Sequence, residues 1–370
     1  MNNPLKEFIS NGSISIDENN WQRLNQLYSM EELMTFLKEE ILANNISLPL
    51  KKITIDDAKD SFISLLNYQC SDFKNDFLTT RYDYTFDKLQ CGRYIDETNV
   101  GNVASDYFQQ YNRFCCGSIN SPSPVRTWSN DKFLNGMLKA IWSLKCKSIN
   151  DNTFRTCLAL RKYVASQFKP TIAKSIYEKF GSQDVLDFSA GWGDRLCGFY
   201  ACDNTKSYIG IDPNKNVHDG YQKQVELYSE YVPDKKTTFI CSPAEDVELS
   251  SEFVDTVFTS PPYFNVEKYS NDESQSYKRY RKLDKWLSGF LFKAIDTSVR
   301  ALKKDGYLII NISDVYSNHQ INNICDPMNY HIQSLGLKYE GVIGMKMAKR
   351  PNSNAVKDGV FVEPIWIWRK

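Results

Sequence analysis

The sequence predicts an α/β fold, in which a mostly parallel, doubly wound sheet is joined to a mainly helical N-terminal region. Three observations lead to this prediction: strand-like runs, helical stretches between them, and a short final connection. From residue 169 onward, seven runs rich in β-branched residues follow in the order DVLDF, SYIGID, TTFICS, VDTVFTS, GYLIINIS, GLKYEGVIGM and GVFVEPIWIW. The last two are joined by the loop MAKRPNSNAVKDG, which contains no helix for a parallel crossover. We therefore expect seven strands, the last two forming an antiparallel hairpin.

The chain of 370 residues is long enough for two domains. Residues 1–123 are predicted to form a mainly helical region with a recognition or accessory role. Residues 124–370 are predicted to form the sheet domain, whose core begins near 165 after a basic helical lead-in. Apolar residues in Trp21–Leu42 recur at spacings near 3 and 4, which predicts an amphipathic helix. Further helical regions are predicted over 130–146 and 151–168.

The formal net charge is zero, but the charges are unevenly distributed. Residues 1–123 contain 11 Lys and Arg against 17 Asp and Glu, whereas residues 124–175 contain 10 against 2, a net charge of +8. Aromatic residues such as Phe133 are interleaved with these cations. The mixture suits a surface that binds a nucleic-acid backbone, although an ordinary solvated face is an alternative interpretation.

The cysteines and the start of the chain bear on the compartment. Ten cysteines are scattered along a sequence that opens with the polar segment MNNPLKEF. This pattern predicts a reducing, intracellular location, in the cytoplasm or a nucleus. Cys115 and Cys116 lack C-x-x-C spacing, and His218, His319 and His331 are far apart, so no metal is expected. No apolar run approaches about 18 residues, so no membrane span is expected.

A glycine turn, Asp187-Phe188-Ser189-Ala190-Gly191-Trp192-Gly193, follows the first predicted strand and opens a helix. Glycines permit positive φ values and close backbone approach to a ligand, at the sheet edge where doubly wound folds bind cofactors. The candidate cofactor-binding residues in this turn are Asp187, Ser189, Ala190, Gly191 and Gly193. For the motif alone, a tight strand-to-helix turn without a ligand is an equal alternative.

Acidic residues follow the second and third predicted strands. Asp212 lies about 20 residues beyond the glycines, where a carboxylate can accept hydrogen bonds from both ribose hydroxyls. A nicotinamide dehydrogenase would need the same acid, but Leu196 stands where G-x-G-x-x-G has its third glycine. Ala244 and Glu245, after the third strand, are candidates for meeting an adenine edge, and a structural cap for the next helix is the alternative.

The fourth predicted strand ends in Thr259-Ser260-Pro261-Pro262-Tyr263-Phe264. With this segment the chain resembles the S-adenosylmethionine-dependent amino-methyltransferases of nucleic acids, the DNA N4-cytosine and N6-adenine family. Their signature is Asp, Asn or Ser followed by Pro-Pro and an aromatic residue. The resemblance covers roughly residues 165–370, since the glycine turn, the ribose acid and S-P-P-Y occur in the family's strand order. It implies a Rossmann-like, seven-stranded methyltransferase sheet.

The same resemblance implies S-adenosylmethionine as cofactor, S-adenosylhomocysteine as its product, and no metal. The implied catalytic loop consists of Ser260, Pro261, Pro262 and Tyr263. Beside the glycine turn and the acids, the implied cofactor-binding residues are Thr259, Lys169 and Pro170. Lys169 and Pro170 would pack over the methionine part, although proline at a helix start needs no ligand.

The motif also has a chemical rationale of its own. An exocyclic amine of a base is a poor nucleophile because its lone pair is delocalised into the ring. Acceptors such as Ser260 Oγ and the Pro261 carbonyl can hold the amino hydrogens and turn the lone pair toward a methyl donor, in a loop stiffened by two prolines. Tyr263 offers a face for a base flipped out of the helix. A rigid turn that caps a strand is the alternative, and the upstream glycines favour the catalytic interpretation.

Residues near this loop are candidates for contact with nucleic acid. They are Phe264, Lys278, Arg279, Tyr280 and Arg281, and in the loop before the last strand Lys349 and Arg350. In the family, Ser at the first motif position is more typical of cytosine N4 than of adenine N6, so we expect a DNA methyltransferase with cytosine N4 slightly ahead. An RNA base amine or a protein glutamine is the alternative substrate. A non-catalytic nucleic-acid-binding subunit is the alternative of another class, against which the intact motifs argue.

Overall fold

The structure is a computed structural model that describes residues 3–317, 319–348 and 359–370. Its contacts divide the chain into a helical unit, Met1–Lys52 with Gln110–Ser166, and a sheet unit, Ile53–Gln109 with Gln167–Lys370. This division differs from the predicted one between 123 and 124, because residues 53–109 group with the sheet. The structure thus puts part of the predicted N-terminal region in the sheet unit.

The helical unit is built around one buried apolar cluster that includes Leu33, Leu37, Leu134 and Ile141. Its helices are α1 Glu18–Leu27, α2 Met30–Ala43, α5 Pro124–Trp128, α6 Asp131–Leu138, α7 Ala140–Ser143 and α8 Asp151–Arg161, with a 3-10 helix at Lys6–Phe8. Its short strands are β1 Ile9–Ser10, β2 Ser13–Ile14 and β5 Gly117–Ser118.

The predicted Trp21–Leu42 helix is two helices. The second begins at Met30 because Ser29 caps it: the Ser29 side chain accepts from the Glu32 backbone N–H, and Glu32 accepts from Ser29 in return. Likewise, the predicted 130–146 helix is divided into α6 and α7, and the predicted 151–168 helix ends at Arg161.

The sheet unit alternates strands and helices after residue 169, as predicted. Its helices are α3 Ile55–Leu66, α4 Asn102–Cys115 (within which the division falls), α9 Pro170–Lys179, α10 Asp194–Ala201, α11 Lys215–Ser229, α12 Ser276–Arg279, α13 Leu283–Trp286, α14 Phe292–Ala301 and α15 Cys325–Ser334, with a 3-10 helix at Ala244–Asp246 and a π-helix at Leu287–Leu291. Its strands are β3 Lys74–Thr79, β4 Cys91–Ile95, β6 Asp184–Asp187, β7 Ser207–Ile211, β8 Lys236–Ile240, β9 Val254–Thr259, β10 Glu267–Lys268, β11 Leu302–Asn311, β12 Val315–Ser317, β13 Gln320–Asn322, β14 Lys338–Lys346 and β15 Val360–Arg369.

Five strands of the main sheet run parallel in the order β8, β7, β6, β9, β11. β15 then pairs antiparallel with both β11 and β14. The predicted fold class, with its seven core strands and antiparallel final hairpin, is confirmed. Strand order reverses between β6 and β9, which creates the crevice where such sheets bind ligands.

Both faces of the sheet are covered, so its central strands are apolar on both sides. Val185, Phe258 and Ile309 belong to one buried cluster, and their neighbours Leu186 and Val257 belong to the other. This alternation follows from the two-residue period of a strand. The same burial explains why these strands are legible in the sequence as continuous apolar runs.

Two strands of the sheet were not predicted. β3 and β4 form an antiparallel hairpin. In addition, β3 pairs parallel with β15, and β4 pairs parallel with β14. Within the part of the chain that the structure describes, the sheet therefore has nine strands. Among the helices that the structure describes, none combines the length and apolar character needed to cross a membrane.

Candidate active site

The glycine turn after β6 and the S-P-P-Y segment after β9 lie at the same edge of the sheet, because β6 and β9 are parallel neighbours. Trp192 in the glycine turn packs against Tyr269 beyond S-P-P-Y, with ring centroids 5.7 Å apart. The two segments that the sequence identified are therefore adjacent in space, as methyl transfer between their ligands would require.

The backbone of the glycine turn needs its glycines. Gly191 has φ +61° and Gly193 has φ +74°, both in the left-handed region. A Cβ on Gly193 would come within 2.0 Å of Gln224 Oε1, so the buried Gln224 side chain would have to shift to admit one. A Cβ on Gly191 would meet nothing nearer than 3.7 Å, so the space beside Gly191 is open to a ligand. This open cradle fits a cofactor that approaches the backbone.

Asp212 holds the turn from the end of β7. Its Oδ2 accepts from the Gly191 backbone N–H at 2.9 Å, and its Oδ1 accepts from the Asn214 backbone N–H at 2.9 Å. A carboxylate has about four lone-pair sites, so both oxygens keep acceptor capacity for ribose hydroxyls. Desolvation raises the pKa of Asp212 to about 6, although the two backbone hydrogen bonds lower it.

Asp187, a predicted cofactor-binding residue, has a buried carboxylate with several partners inside the protein. Its buried carboxylate forms an ion pair with Arg195 Nε at 2.7 Å and accepts from the hydroxyls of Tyr208 and Thr259, each at 2.8 Å. It also accepts from the Ser189 backbone N–H at 3.2 Å. These contacts show that the Asp187 carboxylate stabilises the turn from inside the protein. Cofactor contact by Asp187 and Thr259 stays a prediction.

The other turn residues act through their backbones. Ser189 O accepts from Arg195 Nη2, and Ala190 N donates to Ile211 O at 3.0 Å. Both side chains are buried. Ser189 and Ala190 are consequently held at the strand ends, and the half-buried Gly191 follows them.

Glu245 and Arg279, which were assigned to cofactor and nucleic acid respectively, contact each other. Arg279 Nη1 lies 2.7 Å from Glu245 Oε1 and 2.8 Å from Asp246 Oδ2. Burial raises the pKa of Glu245 and Arg279 opposes the shift. Ala244 is buried in the core beneath this pair. The ion pair gives both side chains a partner without a ligand. Their separate binding roles stay predictions.

Lys169 and Pro170 also have internal partners. Lys169 Nζ donates to the Glu97 carbonyl at 2.7 Å. Pro170 is buried at the first position of α9, and a Cβ on Gly198 would come within 2.6 Å of its carbonyl oxygen. These contacts anchor α9. The packing of both side chains over the cofactor stays a prediction.

The catalytic candidates Ser260 and Tyr263 meet polar groups from two further strands. Ser260 Oγ lies 3.3 Å from Asn311 Oδ1, at the end of β11. Tyr263 OH donates to Glu363 Oε1 of β15 at 2.6 Å and lies 3.5 Å from Asn311 Oδ1. Burial and the Glu363 carboxylate raise the pKa of Tyr263 well above its usual value, so its hydroxyl stays protonated.

The rest of the motif gives the loop its shape. Pro261 is buried and Pro262 half-buried. Phe264 has φ +54° and is only 4% exposed, with its ring packed against Trp286 at 5.9 Å. A ring in the core cannot reach nucleic acid, so the prediction for Phe264 is corrected. Burial of Phe264 instead fastens the far end of the catalytic loop.

The cations after S-P-P-Y differ in availability. Lys278 pairs with Glu273 at 2.7 Å, whereas Arg281 is exposed and has no partner among the residues that the structure describes. Tyr280 is half-buried, and its ring fills the space beside Gly289. Lys349 and Arg350 lie outside the described residues. Arg281 is thus the described cation of this group best placed to meet a phosphate.

The segment between S-P-P-Y and α12 reaches across to β7. Ser274 Oγ donates to the Pro213 carbonyl at 3.3 Å, and Asp272 lies 3.4 Å from Lys215 Nζ. Together with the Trp192–Tyr269 contact, these bonds tie the segment to the loops that carry Asp212 and Gly191. It therefore forms one wall of the crevice.

Sequence reasoning missed Asn311, Glu363 and Arg195. None belongs to a local motif, and each reaches the site from a strand or helix whose pattern signals only burial. In the described ranges, no group of three or more His, Cys, Asp or Glu side chains is arranged to hold a metal.

A model of the DNA methylase family matches residues 254–370, which include S-P-P-Y and four strands of the core sheet, β9, β11, β14 and β15. The match confirms the predicted resemblance over about a third of the chain and supports the methyltransferase class. No curated protein matches the chain.

Solved structures that match the chain at low identity include three methyltransferases. A putative S-adenosylmethionine-dependent methyltransferase from Listeria monocytogenes is 11% identical, with TM-score 0.36, over 54% of this chain and 95% of that one. A tRNA m1G37 methyltransferase from M. jannaschii is 15% identical, with TM-score 0.34, over 55% and 50%. An O-methyltransferase from Thermotoga maritima is 10% identical, with TM-score 0.34, over 58% and 70%. Likeness at this level transfers no activity.

Proposed function

We propose that this protein transfers a methyl group from S-adenosylmethionine to the exocyclic amino nitrogen of a nucleic-acid base. DNA is the favoured substrate, with cytosine N4 slightly ahead of adenine N6. The observation that carries the proposal is the adjacency, at one sheet edge, of the Gly191 turn, the Asp212 carboxylate and the S-P-P-Y loop. The family match over 254–370 supports the same reaction.

The cofactor side of the site rests on Gly191 and Asp212. Asp212 would accept both ribose hydroxyls, and the open space beside Gly191 would admit the methionine part. The sulfonium of S-adenosylmethionine supplies an electrophilic methyl group when it is bound. Asp187 and Arg195 stabilise the turn from inside the protein.

On the substrate side, the loop would orient an amine. Ser260 Oγ and the Pro261 carbonyl would accept the two amino hydrogens, which turns the nitrogen lone pair out of conjugation and toward the methyl group. Tyr263 would stack on the base, which must leave the duplex to reach this crevice. Ser260 is neutral and cannot serve as a strong general base, so the amine proton passes to water after transfer. In this reaction the protein acts mainly by positioning.

The preference for cytosine N4 rests on Ser260 alone. Through the family resemblance, Ser in the first motif position favours cytosine, whereas Asp favours adenine. An RNA base amine and a protein glutamine present the same planar nitrogen and remain the rival substrates. A non-catalytic subunit would not need the Gly191 cradle or the Asp212 acceptor, both of which are intact.

The helical unit offers a second argument for nucleic acid as partner. Around the Phe133 ring, the Arg126 guanidinium is 5.4 Å and the Lys162 ammonium 5.6 Å from the centroid. The two acids of residues 124–175 are already paired, Asp131 with Lys38 at 2.7 Å and Asp151 with Lys52 at 3.4 Å. The cations of this stretch therefore outnumber the local carboxylates, as a phosphate-binding surface requires.

Duplex binding at several salt concentrations tests this partner. Each phosphate contact contributes about 0.9 to the slope of log K against log salt, so Arg126→Ala with Lys162→Ala should reduce the slope by about 1.8. Arg23→Ala is the matched control, since Arg23 is exposed in the same unit and pairs with Glu7 at 3.7 Å. An unchanged slope in the double variant would remove these cations from the interface.

A methylation assay with tritiated S-adenosylmethionine tests the reaction itself. Duplex DNA, structured RNA and a glutamine-containing protein extract would be offered separately to the full chain. The proposal predicts label in DNA. If only RNA or only protein is labelled, that molecule is the substrate instead of DNA. If none is labelled although the cofactor binds, the non-catalytic alternative is favoured.

A further inference from the structure

Behind the S-P-P-Y loop, two polar side chains from adjacent strands meet the catalytic candidates. Asn311 ends β11, Glu363 belongs to β15, and these strands are antiparallel partners with Asn311 opposite Ile365. Asn311 is 1% exposed. A buried amide that touches two candidate catalytic hydroxyls is not explained by packing alone, because a leucine would fill the same volume without polar groups to satisfy.

The hydrogen bonds fix the orientation of the Asn311 amide. Asn311 Nδ2 donates to the Pro364 carbonyl at 3.1 Å, and a carbonyl can only accept. Asn311 Oδ1 must then face Ser260 and Tyr263, whose hydroxyl oxygens lie 3.3 Å and 3.5 Å away. Since Oδ1 is purely an acceptor, Ser260 donates its only hydrogen to it.

This donation determines what Ser260 can offer to a substrate. Once the hydroxyl hydrogen is committed to Asn311, only lone pairs of Ser260 Oγ remain for the crevice. A hydroxyl free to rotate could instead point its hydrogen at the amine and compete with the required geometry. Asn311 therefore makes Ser260 an acceptor.

Glu363 has the corresponding effect on Tyr263. Its carboxylate accepts the Tyr263 hydroxyl at 2.6 Å, a short charge-assisted bond that fixes the position of the ring along its long axis. The groups that face Glu363 are Tyr263, Asn311 and the carboxylate of Glu267. The Tyr263 ring is partly buried against the core, and its hydroxyl is held by Glu363.

We propose that Asn311 and Glu363 are positioning residues for methyl transfer: Asn311 orients the Ser260 hydroxyl as an acceptor, and Glu363 anchors the Tyr263 ring. The proposal rests on the function proposed above. Neither residue touches the reacting atoms, so both should affect kcat and leave cofactor affinity unchanged.

Two substitutions of Asn311 separate orientation from packing. Asn311→Leu keeps the volume and removes the acceptor, and we expect kcat to fall by about 10- to 100-fold. Asn311→Asp, when its new carboxyl is protonated, can still donate to the Pro364 carbonyl and accept from Ser260. It should therefore recover part of that loss at low pH, and lose it as the pH rises and the carboxyl ionises. The dissociation constant for S-adenosylhomocysteine, measured by calorimetry, should change less than twofold in both. Equal activity of the Leu and Asp variants would overturn the role of Asn311.

A double-mutant cycle tests Glu363. Tyr263→Phe removes the hydroxyl but keeps the ring, and Glu363→Gln removes the charge, so each should lower kcat by about 3- to 10-fold. If Glu363 acts through the Tyr263 hydroxyl, the double variant should be no slower than the slower single variant. Multiplying effects would refute that coupling. Wild-type protein that methylates no substrate refutes the proposed function, whereas active wild-type protein with unaltered kcat in all variants refutes this inference alone.

Discussion

Replacing Asp212 by Asn should weaken S-adenosylmethionine binding without unfolding the protein. The two carboxylate oxygens already accept from the backbone N–H groups of Gly191 and Asn214 at 2.9 Å. Asn keeps one oxygen and replaces the other with an NH₂ group, which faces a backbone donor and can no longer accept from a ribose hydroxyl. The substitution thus removes one charge-assisted hydrogen bond to the cofactor and weakens the second.

The size of the effect follows from these bonds. Hydrogen bonds to charged groups contribute about 1.5–3 kcal/mol each, and a net loss of about 2–3 kcal/mol corresponds to a dissociation constant raised about 30- to 150-fold. Isothermal titration calorimetry with S-adenosylmethionine and S-adenosylhomocysteine measures this change directly. S-adenosylhomocysteine serves as a ligand that cannot react.

Asp219→Asn is the matched control for this experiment. Asp219 lies on α11 with a side chain that is 77% exposed, and its partner is Lys223 at 2.7 Å. An exposed ion pair of this kind contributes little, so cofactor affinity should stay within twofold of wild type. If Asp212→Asn also binds within twofold, the assignment of Asp212 to the ribose is wrong.

Three further predictions address the same crevice. If the carboxylate form of Asp212 binds the ribose, as proposed, the wild-type affinity for S-adenosylmethionine should be highest above about pH 6, because desolvation raises the pKa of Asp212 to about 6. Below that pH, the affinity should fall by about tenfold per pH unit. The same fall in the Asp212→Asn variant would contradict this prediction. Gly193→Ala forces a Cβ against Gln224 at φ +74° and should lower the free energy of unfolding by about 2–4 kcal/mol in urea. Gly181→Ala, at φ +63° with open space around it, should cost only about 1–2 kcal/mol, and equal losses would refute the steric argument. Ser260→Ala should abolish methyl transfer yet bind S-adenosylhomocysteine like wild type, and retained turnover would remove Ser260 from the mechanism.

The sheet could be predicted because its central strands are buried on both faces. GYLIINIS contains the continuous apolar run YLII, and five of the six residues of β9 are buried, as a half-exposed strand would not show. β3 and β4 could not be predicted this way. In KNDFLT four of six residues are exposed, and the strand exists because its backbone pairs with β4 and β15. Their inclusion in the sheet unit depends on tertiary pairing that no local pattern encodes.

Part of the candidate site could also be predicted from the sequence. Three site residues could be predicted because backbone geometry and strand position require their residue types: Gly191, Gly193 and Asp212. Asp187 carries the same local signal, yet its carboxylate faces Arg195, a direction that only the folded structure determines. The capping box of Ser29 and Glu32 is a local pattern that predicts a helix start at Met30. The apolar spacing over Trp21–Leu42 predicts one longer helix instead, and the structure follows the capping box.

Long-range polar partners lay beyond sequence reasoning. Arg279 was grouped with nucleic-acid contacts for its charge, but folding places it beside Glu245, so its charge is used inside the protein. Asn311 and Glu363 reach Ser260 and Tyr263 from strands about 50 and 100 residues further along the chain. Contacts at such separation follow from strand order.

The most direct test of the central claim is mass spectrometry of nucleosides from duplex DNA incubated with the protein and S-adenosylmethionine carrying a deuterated methyl group. A pocket that joins the Gly191 turn to the S-P-P-Y loop predicts labelled N4-methylcytosine with wild-type protein and none with Ser260→Ala. Labelled N6-methyladenine would support the same reaction but show that adenine, not cytosine, is the methylated base. No labelled nucleoside from DNA, with protein that binds the cofactor, would contradict the assignment of this crevice to DNA base-amine methylation.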